Sequence, residues 1–150
     1  EDTAIAQMFA SIQQQFNIKA MEKDITLELF DTDLHVMCDV KWTVEALGNI
    51  VDNAIKYTAC GGVVQIKAEQ YSFFVKIDII DDGIGIEKEE IPKIFGRFYR
   101  SLSVADQPGV GIGLFLAREI IQAQKGYIKV TSKRGKGSTF SVFLPIAKKE

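Results

Sequence analysis

The residues best suited to chemistry in this chain lie along one short stretch: Glu45, Asn49, Asp52, Asn53 and Lys56. Turned at about 100° per residue, they fall together on one side of a helix expected over 39–57. Val44, Leu47, Ile50, Val51, Ala54 and Ile55 fall on the other side. A face that needs only to be wet is served by Glu, Lys, Gln or Arg. Asparagine is a poor helix former, so Asn49 and Asn53, one turn apart in mid-helix, call for another reason. Amide oxygens can coordinate a hard cation such as Mg²⁺, which is usually held by few protein ligands plus substrate phosphates. Lys56 can meet phosphates as a point charge.

Three glycine segments add to this stripe. Asp81-Asp82-Gly83-Ile84-Gly85-Ile86 follows a strongly apolar run, Val75 to Ile80. Glycine there lets backbone come close to a ligand, and an acid at a strand end can accept from an amino group. Gly109-Val110-Gly111-Ile112-Gly113-Leu114 leads straight into an apolar-periodic segment. N–H groups at such a helix start bind phosphate well. It lacks the strand–turn–helix context of a dinucleotide fingerprint and the Gly-Lys-Ser/Thr ending of a P-loop. Gly135, Gly137, Ser138 and Thr139 form the third cluster, in what reads as a hairpin turn.

The elements that must carry these residues follow from periodicity. Ile5, Met8, Phe9, Ile12 and Phe16 predict a first helix over about 3–19. Ile25, Leu27 and Leu29 alternate with polar residues as in a half-buried strand, and His35 to Cys38 is a second short strand. Asp39 is the expected N-cap of the Asn-bearing helix. Val63 to Gln70 and Phe73 to Ile80 read as strands joined near Tyr71-Ser72. A short irregular helix containing Pro92 is expected within 87–95, and a long loop over 96–112. A helix from Leu114 to Ala123, ended by Gly126, precedes a hairpin of Tyr127 to Ser132 and Ser138 to Leu144. Helices and antiparallel strands mix without regular βαβ alternation, so the class is α+β.

Composition closes off other chemistry. A chain of 150 residues, 47% hydrophobic and 25% charged, fits one self-sufficient domain rather than a disordered segment. A net charge of −2 gives no basic field for nucleic acid. Cys38 and Cys60 fit no metal spacing and read as free thiols, and one histidine, His35, supplies neither a metal cluster nor a triad. No apolar run is long enough to span a bilayer, and no signal peptide is visible. The chain starts at Glu1 without a Met, so it is expected to be a piece of something longer.

The segments in this order resemble the catalytic ATP-binding domain of sensor histidine kinases, within the GHKL ATPase superfamily. Glu45 to Thr58 resembles the N box and Asp81 to Ile86 the G1 box. Ile94-Phe95-Gly96-Arg97-Phe98-Tyr99-Arg100 resembles the F box, Gly109 to Leu114 the G2 box, and Gly135 to Phe140 the third glycine segment. The likeness covers about residues 20–147. It implies a two-layer sandwich, a mixed and mostly antiparallel sheet with helices on one face, forming an ATP-binding domain over 20–150. Residues 1–19 would then be a linker or the residual helix of a preceding dimerisation domain.

The resemblance also implies roles. Asn49 would carry the Mg²⁺ ligand, and Asn53 would support the phosphate and metal site. Glu45 would orient or deprotonate the attacking group. Lys56 is expected near the phosphates and Tyr57 near the ribose or adenine. Asp81 would accept from the adenine amino group, with Gly83 beside it and Gly85 giving the base room. Arg97 or Arg100 would reach the γ-phosphate, Arg100 being the better match. Gly109, Gly111, Gly113 and Leu114 would line the triphosphate, and Thr139 would lie behind the adenine.

The implied reaction passes the γ-phosphate to a histidine. His35 stands in a strand context without the helical His-Glu or His-Asp pattern of the family's acceptor, so the acceptor is expected on a separate dimerisation domain. A response regulator would follow indirectly. The fragment is expected to be monomeric and to be a cytoplasmic domain, with membrane anchoring of the longer protein left open. Two alternatives stand beside this reading: a stand-alone serine kinase of the anti-sigma type, and a degenerate nucleotide-binding docking module. The Phe95 to Arg100 stretch favours the sensor kinases over the first. Asn49, Lys56, Asp81 and the three glycines argue against the second.

Overall fold

A computed structural model describes residues 1–96 and 112–146 of the chain. Among the described residues, three α-helices form where apolar residues recur at intervals of three and four. The first, α1 (Ile5–Glu22), lays Ile5, Met8, Phe9, Ile12, Phe16 and Ala20 into a single core. The second, α2 (Val40–Lys56), begins at Asp39, whose carboxylate accepts from Trp42 N at 3.0 Å. That is the N-cap expected from the sequence. The third, α3 (Gly113–Ala123), buries Ala117 and Ile121. Between them, α2 touches both neighbours. The Phe16 ring of α1 lies against Gly48, and Gly113 at the start of α3 sits over Asn49.

The strands are β1 (Asp2–Ala4), β2 (Thr26–Leu29), β3 (His35–Met37), β4 (Val63–Gln70), β5 (Phe74–Asp81), β6 (Tyr127–Lys133) and β7 (Gly137–Pro145). Five of them form one sheet in the order β2-β4-β5-β7-β6. The β2–β4 pairing is parallel and the other three are antiparallel. Val75, Ile77 and Ile79 of β5 and Phe140, Val142 and Leu144 of β7 join the helices' apolar faces in the core. The residues between them point to the open face, where strand periodicity puts them. The fold is thus the expected two-layer α+β sandwich.

Two elements differ from expectation. Residues 2–4 do not begin the first helix. They pair antiparallel with β3, Asp2 opposite Met37 and Ala4 opposite His35, as a separate two-stranded sheet. The partner strand lies some thirty residues away, and helical periodicity cannot register it. The short helix of 87–95 reduces to a 3₁₀ turn at Ile91–Lys93, with Pro92 in its first turn. Elsewhere, His35 is exposed and its Nδ1 lies 3.1 Å from Asp2 Oδ1. Cys38 is buried, Cys60 is exposed, and both are free. Among the described residues no helix is long and apolar enough to cross a membrane.

Candidate functional site

The polar stripe of α2 is formed as its periodicity requires. Glu45 is exposed, while Asn49, Asp52, Asn53 and Lys56 are half-buried along the side of α2 turned away from the core. Helix α1 adds to it. Lys19 Nζ meets Asp52 Oδ1 at 2.5 Å, and Gln15, Lys19, Glu45, Asn49 and Asp52 share a cleft of about 220 Å³. Lys23 Nζ donates to the carbonyls of Ile55 and Lys56, at 3.0 and 2.6 Å. Those carbonyls end α2 without intrahelical partners of the usual kind, so Lys23 caps the turn that presents Lys56 and Tyr57.

The Asp81 turn lies beside that end of α2. Ile84 N donates to Tyr57 O at 3.2 Å. Asp81 is the last residue of β5, on the face shared with the core, and its Oδ1 accepts from Gly83 N at 2.9 Å and Ser138 N at 3.2 Å. Among the described residues its second oxygen has no hydrogen-bond partner. Burial pushes the Asp81 carboxyl up to about 6, against the pull of those two N–H donors, and neighbouring Asp82 adds to the rise. Asp82 is different: exposed, with Oδ1 accepting from Val63 N at 2.9 Å, it serves the turn.

The third glycine segment locks against this turn. Gly135 N donates to Ile84 O at 2.7 Å, and Ile86 N donates to Ser132 Oγ at 2.8 Å. Ser132 Oγ lies 2.7 Å from Ser138 Oγ. Gly137 has φ +90°, and a Cβ there would run into the carbonyl of Asp81. Gly85 has φ +73°, and a Cβ there would run into the backbone at Lys133. The constraint visible on Gly85 is therefore the neighbouring strand end. Gly83 is buried, and an added Cβ would meet Asp81 Oδ1 and Thr58 Oγ1. At Gly113 an added Cβ would stand 3.6 Å from Asn49 Cβ, an ordinary contact. Leu114 packs half-buried on the core.

One expected residue points elsewhere. Alternation along β7 places Ser138 and Phe140 inside and Thr139 on the open face, where it lines a cleft of about 560 Å³ with Thr131 and Ser141. Ser138, opposite Asp81 in register, stands where Thr139 was expected. Counting back from the apolar Phe140 would have found it. Lys19 and Lys23 carried no sequence signal, because their partners are distant in the chain, and Ser132 none for its bond from Ile86 N, 46 residues away. Arg97, Arg100, Gly109 and Gly111 lie outside the described residues.

The structure thus sets Asn49 against the start of α3 and the Tyr57 cap of α2 against the Asp81 turn, with Glu45, Asn53 and Lys56 along the same polar stripe. Residues 38–148 match the family described as "Histidine kinase-, DNA gyrase B-, and HSP90-like ATPase". The chain belongs to that ATPase family. ATP is accordingly the nucleotide of its site. Among relatives, the "Sensor protein kinase PmrB" of Pseudomonas aeruginosa is 34% identical over 142 residues, covering 94% of this chain and 30% of that protein. The "Sensor histidine kinase WalK" of Bacillus subtilis is 37% identical over 131 residues, covering 85% of this chain and 21% of that protein. The chain spans under a third of the length of these relatives. Among solved structures, a mycobacterial sensor histidine kinase, MprB, superposes with a TM-score of 0.88 at 26% identity, covering 97% of each chain. The catalytic domain of histidine kinase ThkA gives 0.82 at 25% identity, covering 97% of this chain and 95% of that one. The family's fold is the α+β sandwich described above.

Proposed function

We propose that the chain is the ATP-binding catalytic domain of a sensor histidine kinase, and that it donates the γ-phosphate of Mg-ATP to a histidine on a separate dimerisation domain. The observation that carries this reading is the half-buried carboxylate of Asp81. One of its oxygens is saturated by two backbone N–H groups, and the other is left to accept from an adenine amino group beside the end of α2. From there the stripe runs along α2 in the order a triphosphate requires. Tyr57 meets the ribose or base, Lys56 and Asn53 the phosphates, and Asn49 and Glu45 the reacting end.

The donor set fits a hard cation: two amide oxygens one turn apart, with substrate phosphates completing the shell. Asn49 would hold Mg²⁺ with support from Asn53, and the ion would supply charge neutralisation at the phosphates. Glu45, exposed at the outer end of the stripe, would orient or deprotonate an incoming imidazole. Arg100 or Arg97, with the amides of Gly109, Gly111 and Gly113, would add positive charge and close over the triphosphate.

His35 is paired with Asp2 in a strand, so the acceptor is sought on another domain, and a response regulator follows it. The sensor-kinase relatives favour this reading over a stand-alone serine kinase. Six residues of α1 share the core, so we place residues 1–22 within the ATP-binding unit. The domain is a monomer in this reading. Calorimetric titration with ATP, with and without Mg²⁺, tests the binding. Mg²⁺-dependent affinity is expected, and heat of binding that is absent or indifferent to Mg²⁺ would refute it.

A further inference from the structure

Thr58 directly follows the C-cap of α2 and is 1% exposed. Its Oγ1 has no hydrogen-bond partner among the described residues. A buried hydroxyl without a partner destabilises a fold, and a valine of nearly the same shape would not. The side chain is also fixed in direction. A Cβ added at Gly62 would run into the Thr58 methyl, so the methyl fills the space on that side. The hydroxyl faces Gly83, where an added Cβ would stand 3.1 Å from Thr58 Oγ1 and 3.0 Å from Asp81 Oδ1. Both oxygens border the same buried glycine.

Two features unfavourable to folding therefore meet at one point, an unsatisfied hydroxyl and a carboxylate whose charged form is disfavoured by burial. Such costs gather where a ligand supplies the missing partner. The two groups also differ in kind: ionised Asp81 only accepts, and Thr58 can donate. The adenine edge presents an amino donor beside a ring-nitrogen acceptor. The corresponding edge of guanine presents a carbonyl beside an N–H, which reverses both.

We propose that Thr58 is a base-reading residue, its hydroxyl donating to the adenine ring nitrogen, directly or through one bridging water, beside the amino group that Asp81 accepts from. The proposal rests on the nucleotide reading above and adds a determinant of adenine over guanine. The bridging-water form costs little relative to a direct bond.

The test uses calorimetric titration of ATP and GTP into Thr58→Val, Thr58→Ser and Asp81→Asn, alongside thermal melting. Thr58→Val is expected to weaken ATP about tenfold, the worth of one such hydrogen bond, and to leave GTP unchanged. Its melting temperature should equal or exceed that of the parent chain, because no intramolecular bond is lost. Thr58→Ser should keep ATP affinity within about twofold, since the donor remains. Unchanged ATP affinity in Thr58→Val, while Asp81→Asn has lost it, overturns the proposal and leaves the nucleotide reading intact. A clear fall in the melting temperature of Thr58→Val also overturns it, by revealing a structural partner. Failure of the parent chain to bind ATP overturns both.

Discussion

Replacing Asp81 by Asn should stabilise the empty domain and weaken its ATP binding, two effects of opposite sign from one atom change. The carboxyl is raised from 3.8 to about 6 mainly by burial. Each unit is worth about 1.4 kcal/mol, so holding this group ionised costs the fold about 3 kcal/mol at pH 8. Asparagine keeps an oxygen to accept from Gly83 N and Ser138 N, and removes the charge. A gain of about 1–3 kcal/mol is expected, or about 3–10 °C in Tm for a domain of this size.

The pH dependence follows from the direction of the shift. A folded pKa above the unfolded one means the folded state binds more protons between about pH 4 and 6. Stability from this group is therefore present at low pH and lost as pH rises through about 6. The gap between Asp81→Asn and the parent should be small near pH 4.5, open through pH 6 and level off above pH 7. Binding moves the other way: the Asn amide nitrogen would turn a donor toward the adenine amino group, also a donor. Loss of a hydrogen bond to a charged group predicts about ten- to a hundredfold weaker ATP binding at pH 8. Urea unfolding and calorimetry at four pH values measure both quantities. A variant that is less stable than the parent at pH 8, or a gap that does not change with pH, would refute the reasoning.

Four further outcomes follow. ATP affinity of the parent chain should rise as pH increases through about 6, as Asp81 ionises, and a flat titration profile from pH 5 to 8 would contradict this. Gly137→Ala must place a Cβ against the Asp81 carbonyl at φ +90°, and should lose more than about 2 kcal/mol. Gly135→Ala, at φ +84° with open space around it, should lose about 1 kcal/mol in the same chemical denaturation series. Lys23→Ala removes the side-chain cap from the Lys56 carbonyl and leaves that of Ile55 only its 3.4 Å bond from Thr58 N, and should cost about 1–2 kcal/mol, with faster amide hydrogen exchange at the end of α2.

What could be read in the sequence is what rests on local periodicity. The stripe on α2, its Asp39 cap and the apolar run of β5 are intrinsic to their own segments, and all formed. Register was legible only in part. Thr139 and Ser138 are adjacent, and one step along a strand moves a side chain to the other face. Phe140 held the phase information that decides between them. Asp81 was expected to be the acceptor, and the end of β5, one residue later than expected, separates it, half-buried, from the exposed turn residue Asp82. The β1–β3 pair, the Lys19–Asp52 contact and the Lys23 cap depend on partners about thirty residues away, and nothing in local spacing announces them. Gly85 was expected to make room for a base, whereas the close approach visible at it is that of the β6 strand end.

The central claim is phosphoryl transfer from this domain to a histidine elsewhere. The most direct measurement supplies γ-labelled ATP and Mg²⁺ to the chain together with a separately prepared dimerisation and acceptor domain from a sensor kinase. An acid-labile phosphohistidine is expected on the acceptor, with no label on His35. Asn49→Ala should fold, as judged by circular dichroism and melting, yet transfer nothing. Transfer by Asn49→Ala at the parent rate, or no transfer by a parent chain that binds Mg-ATP and the acceptor domain, would contradict it.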